Sequence, residues 1–384
     1  MTFAARTKGA RHVTQAMDSR IQKMAQVLIR YSTRVQRGER VLIRATSPAA
    51  QPLCQALYEE ALRAGGLPVV YMHMSQEDPI ALEATDDPAL LSDVNPMLAL
   101  MYEQAPVVIR IEAAENTRNR TAYPLEAQQA RSKALNSLIQ IQMRREGAGE
   151  LRRCTTQFPT LAYAQMAGMS LRQYERFLYH ACKAHLDDPV AAWQAVEAEQ
   201  ARLVEWLAGK KHVHVRGDNI DLQLSIEGRT FINACGTANL PDGEIFTGPV
   251  EDSVNGWVRF TYPAYYQGNE VKGIELEFKD GEVVRATAET NEAFLHSMLE
   301  TDEGARRLGE FAIGTNRDIQ QFTGTILFDE KIAGTVHMAV GQGYRKTGSV
   351  NQSLIHWDMI CDMRQGGEIY VDETLFYRNG EFVI

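Results

Sequence analysis

His356 and Asp358 stand two apart in the run Ile355-His356-Trp357-Asp358-Met359-Ile360. On a strand, residues two apart point to one face, so an imidazole and a carboxylate would sit side by side among apolar neighbours. Such a pair can bind a metal ion, or it can be a core histidine held by an aspartate. His337 is another polar residue inside an apolar run, Thr335-Val336-His337-Met338-Ala339-Val340, where it is either a ligand or a hydrogen-bonded core group. Carboxylates recur in the same half. Glu244 follows Leu240-Pro241-Asp242-Gly243, a shaped loop or a surface turn. Glu310 comes after Gly309 and before Phe311-Ala312-Ile313, which suggests burial. Asp329-Glu330 closes the run Thr325-Ile326-Leu327-Phe328, read as a strand, and a charged pair in that position commonly faces solvent. Tyr344, beyond a turn at Gly341-Gln342-Gly343, could donate a hydrogen bond to an oxyanion.

Carboxylates joined by imidazoles are what divalent ions require as ligands. Two such ions about 3.5–4 Å apart can activate a water and stabilise the oxyanion of amide hydrolysis. His337, His356 and Asp358 by themselves also make the two-histidine, one-carboxylate set of a single Fe(II) centre. Both chemistries remain open on the residues alone. The pairs His212/His214, which has no acid beside it in the sequence, and His180/His185 are assigned to surface or packing roles. The chain has no Gly-x-x-x-x-Gly-Lys, no Gly-x-Gly-x-x-Gly, no His-Glu-x-x-His and no Gly-x-Ser-x-Gly. That removes the commoner nucleotide-binding, zincin and serine-hydrolase readings.

The elements that must position these residues change character along the chain. After Asp18 and Ser19, which can cap a helix, Ile21, Met24, Leu28 and Tyr31 recur at helical spacing. Arg40-Val41-Leu42-Ile43-Arg44 is a short strand, followed by a helix that opens at Ser47-Pro48 and stops at Gly65-Gly66. Strands at Val69-Val70-Tyr71-Met72 and Val107-Val108-Ile109-Arg110-Ile111 complete a βαβ pattern and predict a parallel sheet. Helical patterns then run to about residue 207. Beyond the Gly209-Lys210-Lys211 break the pattern is strand-rich, with a hairpin at Lys279-Asp280-Gly281-Glu282 and one helix around Phe294, Leu295, Met298 and Leu299. The expected organisation is a flexible extension over 1–19, an α/β domain with a parallel sheet over 20–208, and a strand-rich α+β catalytic domain over 209–384.

At 384 residues, two cores are expected. The net charge of −9 argues against nucleic acid as a partner. No apolar run is long enough to span a membrane. The polar, basic N-terminus lacks the apolar stretch of a secretory signal. Five scattered cysteines form no CxxC pair, which fits a reducing compartment, the cytoplasm by default.

Taken in order, these segments resemble the M29 metallopeptidases, the thermophilic-type aminopeptidases. The resemblance is carried by Asn239-Leu240-Pro241-Asp242-Gly243-Glu244-Ile245-Phe246-Thr247-Gly248-Pro249, by Thr301-Asp302-Glu303-Gly304-Ala305-Arg306-Arg307-Leu308-Gly309-Glu310, and by Ile326-Leu327-Phe328-Asp329-Glu330. Val336-His337-Met338-Ala339-Val340-Gly341 and Ser353-Leu354-Ile355-His356-Trp357-Asp358-Met359-Ile360 complete it, and in the first half Phe158-Pro159-Thr160 and Ala164-Gln165-Met166-Ala167-Gly168-Met169-Ser170 are similar too. It runs from about residue 20 to the end, with spacings around Glu330 that differ from the family pattern.

What the resemblance implies is an aminopeptidase that releases N-terminal residues from peptides. Glu244, Glu310, Glu330, His337, His356 and Asp358 would hold two divalent ions of zinc, cobalt or manganese, with Glu310 bridging. Tyr344 would fall in the place of a catalytic tyrosine. The resemblance further implies a homodimer that encloses the active sites. Ring-cleaving iron dioxygenases similar to this family exist, which keeps the His337, His356, Asp358 alternative in play.

Overall fold

The structure, a computed structural model, describes residues 18–384. The expectation for the N-terminal extension falls almost wholly outside them. Asp18 caps the first helix, Ser19–Gln26, by accepting from the Arg20 amide. That helix runs directly into a wider turn, Val27–Ser32, whose apolar side chains are buried.

The first half builds a parallel sheet from β1 (Arg40–Ala45), β2 (Leu67–Met72), β3 (Val107–Glu112) and β4 (Arg152–Gln157). All pairings among them are parallel, in the order β2-β1-β3-β4. Val41, Leu42 and Ile43 are all buried, as a strand covered on both faces requires. Ser47 caps the turn Pro48–Ala50, which leads into the helix Gln51–Arg63 and ends at Gly65 in the left-handed region. One element departs from the expectation. The stretch Arg-Arg-Cys-Thr-Thr-Gln lies in a region read as helical, yet it forms β4. It has no apolar alternation to reveal it. Its β-branched threonines and the vacant edge of β3 settle the matter.

The second half continues as β5 (His212–Gly217), β6 (Ile220–Ser225), β7 (Ile232–Ala234), β8 (Asn239–Leu240), β9 (Glu244–Thr247) and β10 (Asn255–Arg259). It proceeds through β11 (Ala264–Tyr266), β12 (Asn269–Val271), β13 (Glu275–Lys279), β14 (Glu282–Thr287), β15 (Leu308–Gly314), β16 (Thr335–Gly341) and β17 (His356–Asp362). The last strands are β18 (Glu368–Val371), β19 (Thr374–Arg378) and β20 (Glu381–Phe382). The β13–β14 hairpin turns at Asp280 and Gly281, both with positive φ (50° and 81°). That is the two-residue turn an Asp-Gly pair favours. An eight-stranded sheet, β14-β13-β10-β6-β5-β18-β19-β20, packs against an antiparallel five-stranded sheet, β17-β16-β15-β9-β7. Phe311, Ile313, Met338, Val340, Trp357 and Met359 fill the core between them. The alternate residues of the same strands, Glu310, His337 and Asp358, therefore face away from that core.

The two halves are knitted together. β8 pairs in parallel with β4 and extends the first sheet. Leu240, Ile319, Phe328 and Ile332 of the second half join the core of the first. The five-stranded sheet is thereby covered on its second face.

Candidate metal centre

Antiparallel register brings the candidate residues together. Glu310 on β15 is followed two residues on by Ala312, which faces His337 on β16, while Asp358 and His356 on β17 face Ala339 and Gly341. Gly314 of β15 faces Glu244 at the start of β9. A bulge between Leu308 and Glu310 sets the carboxylate of Glu310. It depends on Gly309, where an added Cβ would lie 2.4 Å from the carbonyl oxygens of both Gly341 and Gln342.

Glu330 arrives by a different route. The run ahead of it is not the expected strand but a short helix, Ile326–Asp329, whose C-terminal cap is Glu330. Nor does the acid pair face solvent. Asp329 is buried and Glu330 is nearly so, because the helix packs Phe328 into the first core and turns both carboxylates inward.

Ligand atoms of the six residues form three overlapping groups: Glu244, Glu310 and His337; Glu310, His356 and Asp358; Glu330, His337 and Asp358. Within each group they lie within 4.8 Å of one another. The two oxygens of Glu310 diverge, Oε1 lying 3.7 Å from His337 Nε2 and Oε2 lying 3.3 Å from His356 Nε2. His356 Nε2 is also 3.5 Å from Asp358 Oδ2. His356 Nδ1–H donates to the carbonyl of Gln342 at 2.7 Å, which fixes the tautomer and aims Nε2 into the site.

His337 Nε2 and Glu244 Oε2 approach to 3.1 Å, yet neither has an aligned hydrogen-bond partner. His337 Nδ1 and Asp358 Oδ1 are likewise buried without partners. An unsatisfied buried polar group costs roughly 1–3 kcal/mol. Atoms that each bind one ion at about 2.0–2.2 Å stand about 3–3.5 Å apart, aimed at a common point rather than at each other. The donor set and its orphaned atoms therefore fit divalent ions. A core histidine satisfied by neighbours does not describe His337.

The electrostatics agree. Burial opposes a charged His337, yet Glu244 and Glu310 prevail and lift it to about 10. Burial likewise opposes charge on His356, and Asp358 with Glu310 outweighs it, raising that imidazole well above its ordinary value. Glu330 is driven up to about 8, chiefly by burial and further by Glu244 and Asp358, against Lys331. Burial would also raise Glu310, but His337 and His356 hold it far below the usual carboxylate range. The raised values of His337, His356 and Glu330 describe a pocket that favours added positive charge.

Two residues escaped the sequence reading. Lys331 is only 1% exposed, and its ammonium lies 2.7 Å from Glu244 Oε1, 2.5 Å from Glu330 Oε1 and 3.7 Å from Asp242 Oδ1. Asp242 is fully buried, and its oxygens accept from the amides of Gly236 and Gly243. Their signal was position alone: a lysine directly after an acid pair, and an acid two residues before a candidate ligand. Tyr344 stands at the rim, 44% exposed, with its ring 5.3 Å from that of His356. The other histidines stay outside the site. His214, for which no acid was expected nearby, meets Asp221 across the β5–β6 hairpin at 2.7 Å. His180 and His185 stack on each other.

Residues 17–382 match the family described as Thermophilic metalloprotease (M29). The chain belongs to the M29 family. It is thus a hydrolase, a metallo-aminopeptidase that depends on divalent metal. Aminopeptidase 2 of Geobacillus stearothermophilus is 28% identical to this M29 chain over 89% of its length and 92% of the relative's. Aminopeptidase T of Thermus thermophilus is 32% identical over 56% of this chain and 60% of its own. A solved structure of wild-type AmpT from Thermus thermophilus superposes with a TM-score of 0.83 at 24% identity, covering 96% of this chain and 100% of that one. The M29 chain shares that fold, a parallel sheet with helices joined to strand-rich antiparallel sheets. The ring-cleaving iron dioxygenase alternative draws no support from these relatives. No helix among the described residues is long and apolar enough to cross a membrane.

Proposed function

We propose that this enzyme releases N-terminal residues from peptides at a site holding two divalent ions, of zinc, cobalt or manganese. Glu244, Glu310 and His337 would hold one ion, and Glu310, His356 and Asp358 the other, with Glu330 contributing between them. The divergent oxygens of Glu310, one toward each histidine, carry the reading of two ions over one. When bound, such a pair supplies an activated water and neutralises charge developing on the carbonyl oxygen.

The chain's own residues do the rest. Glu310 spans the two halves of the site. The Gln342 carbonyl keeps His356 oriented. Lys331 offsets the crowding of Glu244 and Glu330 and holds both carboxylates in place. Tyr344 overhangs His356, where its hydroxyl can donate to the oxyanion. A free substrate amine, positively charged, suits the surplus of carboxylate and favours cleavage at the first residue. Assembly as a homodimer and a place in the cytoplasm belong to the same proposal. All five cysteines are unpaired, which supports a reducing compartment.

Metal analysis joined to a panel of aminoacyl substrates tests it. Two ions per chain and amine release are expected, with both lost in His356→Ala. Full activity in that variant, or a single iron with oxygen uptake, would overturn the assignment.

A further inference from the structure

A pocket of about 220 Å³ opens beside Asp358. Asp358 and Ile360 project from the same face of β17 and form one wall. Tyr163 and Met166, from the helix Leu161–Met166 of the first half, line it as well. Tyr265, Phe322 and Ile326 close the sides.

We infer that this pocket receives the side chain of the substrate's first residue and selects a bulky, uncharged, apolar one such as leucine or phenylalanine. The inference rests on the aminopeptidase reading of the adjoining site. In an aminoacyl amide, the carbon bearing the first side chain is bonded directly to the scissile carbonyl. A substrate reacting beside Asp358 must therefore put that side chain into an adjoining hollow.

Size and chemistry choose the class. The volume equals roughly seven liquid-water volumes, room for one large side chain and less than a drug-sized ligand needs. The lining is chiefly aromatic and aliphatic; Thr325 Oγ1 is buried in it without a partner, while other polar atoms are engaged elsewhere. The Tyr163 hydroxyl accepts from the Ala114 amide, and the Tyr265 hydroxyl donates to Glu270. Asp329, the second carboxylate in the wall, accepts at one oxygen from both the amide and the hydroxyl of Thr323, at 2.7 and 2.8 Å. Those donors hold Oδ1 toward Thr323 and fix the orientation of the carboxylate. The walls are also stiff. Phe322 stacks on Tyr262 with centroids 5.0 Å apart and lies 6.4 Å from Tyr265. Gly324, at φ +77°, lets Met166 close in, since an added Cβ would lie 3.2 Å from Met166 Cγ.

The test uses the metal-loaded enzyme with leucyl, phenylalanyl, alanyl, glycyl, arginyl and glutamyl p-nitroanilides. Leucyl and phenylalanyl substrates should exceed glycyl, arginyl and glutamyl by at least about 10-fold in kcat/KM. Ile326→Trp, at a half-exposed position that tolerates size, should cut the phenylalanyl rate by about 10-fold or more and leave the alanyl rate within about 3-fold, at unchanged metal content. Equal rates across the panel, a preference for arginyl, or a parallel loss on every substrate in Ile326→Trp would overturn the pocket assignment while leaving the aminopeptidase reading standing. No hydrolysis of any substrate would instead sink that reading and the pocket with it. Should the variant not fold, inhibition of the unaltered enzyme by free L-leucine and not by glycine is the expected result, and equal inhibition by both overturns the proposal.

Discussion

Lys331 shows what a single side chain can decide. A buried ammonium among Asp242, Glu244 and Glu330 is held there by charge, and its own proton is bound more tightly than usual against the penalty of burial. Removing one partner of a buried ion pair costs about 3–5 kcal/mol, because the remaining charges are left uncompensated. Lys331→Met should therefore lower thermal stability by roughly that amount without added metal, and should alter metal stoichiometry in the purified protein. An unchanged melting temperature together with unchanged metal content would show that the ammonium does not organise the site. His337 makes the complementary case. Its two unpartnered nitrogens were invisible in sequence, where the residue reads more readily as a satisfied core group than as a ligand.

At the scale of elements, the bulge in β15 is the critical device. Gly309 admits the backbone of Gly341 and Gln342 where any side chain would collide. Gly309→Ala should destabilise by about 1–3 kcal/mol through forced backbone shifts, and should weaken metal retention by displacing Glu310, both measurable by thermal melts with and without chelator. The first helix permits a test distant from the site. The Asp18 carboxylate accepts from the Arg20 amide and pairs with the Arg20 guanidinium, which holds its pKa below 3.8. A group depressed in the folded state stabilises above its unfolded value and loses that contribution as pH falls through the folded one. Asp18→Ala should thus cost roughly 0.5–2 kcal/mol near neutrality, with the difference from the parent protein shrinking as acid protonates the folded-state carboxylate. The acid pair at 329–330 is the counter-lesson. An apolar run ending in two acids resembles a strand reaching solvent, and only the packing of Phe328 into the first core turned it into a buried helical turn.

For the whole molecule, the site lies on the face of the five-stranded sheet turned away from its core, beside the helical turn that carries Glu330. Glu244, Glu310, Glu330 and Asp358 converge there with one neutralising lysine. Ions bound only by the folded state stabilise it by mass action, by about 2.7 kcal/mol at 100 times Kd. Chelation should accordingly lower the melting temperature by several degrees, and restoring zinc, cobalt or manganese should reverse the loss. An unaltered melt after verified metal removal would contradict the proposed centre.

The residue types, their order and their period-two placement on strands were legible in the chain itself, because alternation dictates which side chains share a face. The parallel sheet of the first half, the Asp-Gly hairpin and the expected family could all be read at that level. What only the tertiary structure decided was convergence. Glu244 is separated from Asp358 by more than a hundred residues, and their meeting depends on register across β9, β15, β16 and β17 together with a helical turn carrying Glu330. Local periodicity contains no information about which strands pair or what covers them. Lys331, the orphaned nitrogens of His337 and the pocket beside Asp358 exist only once long-range packing has excluded water from a place where charges must then answer one another.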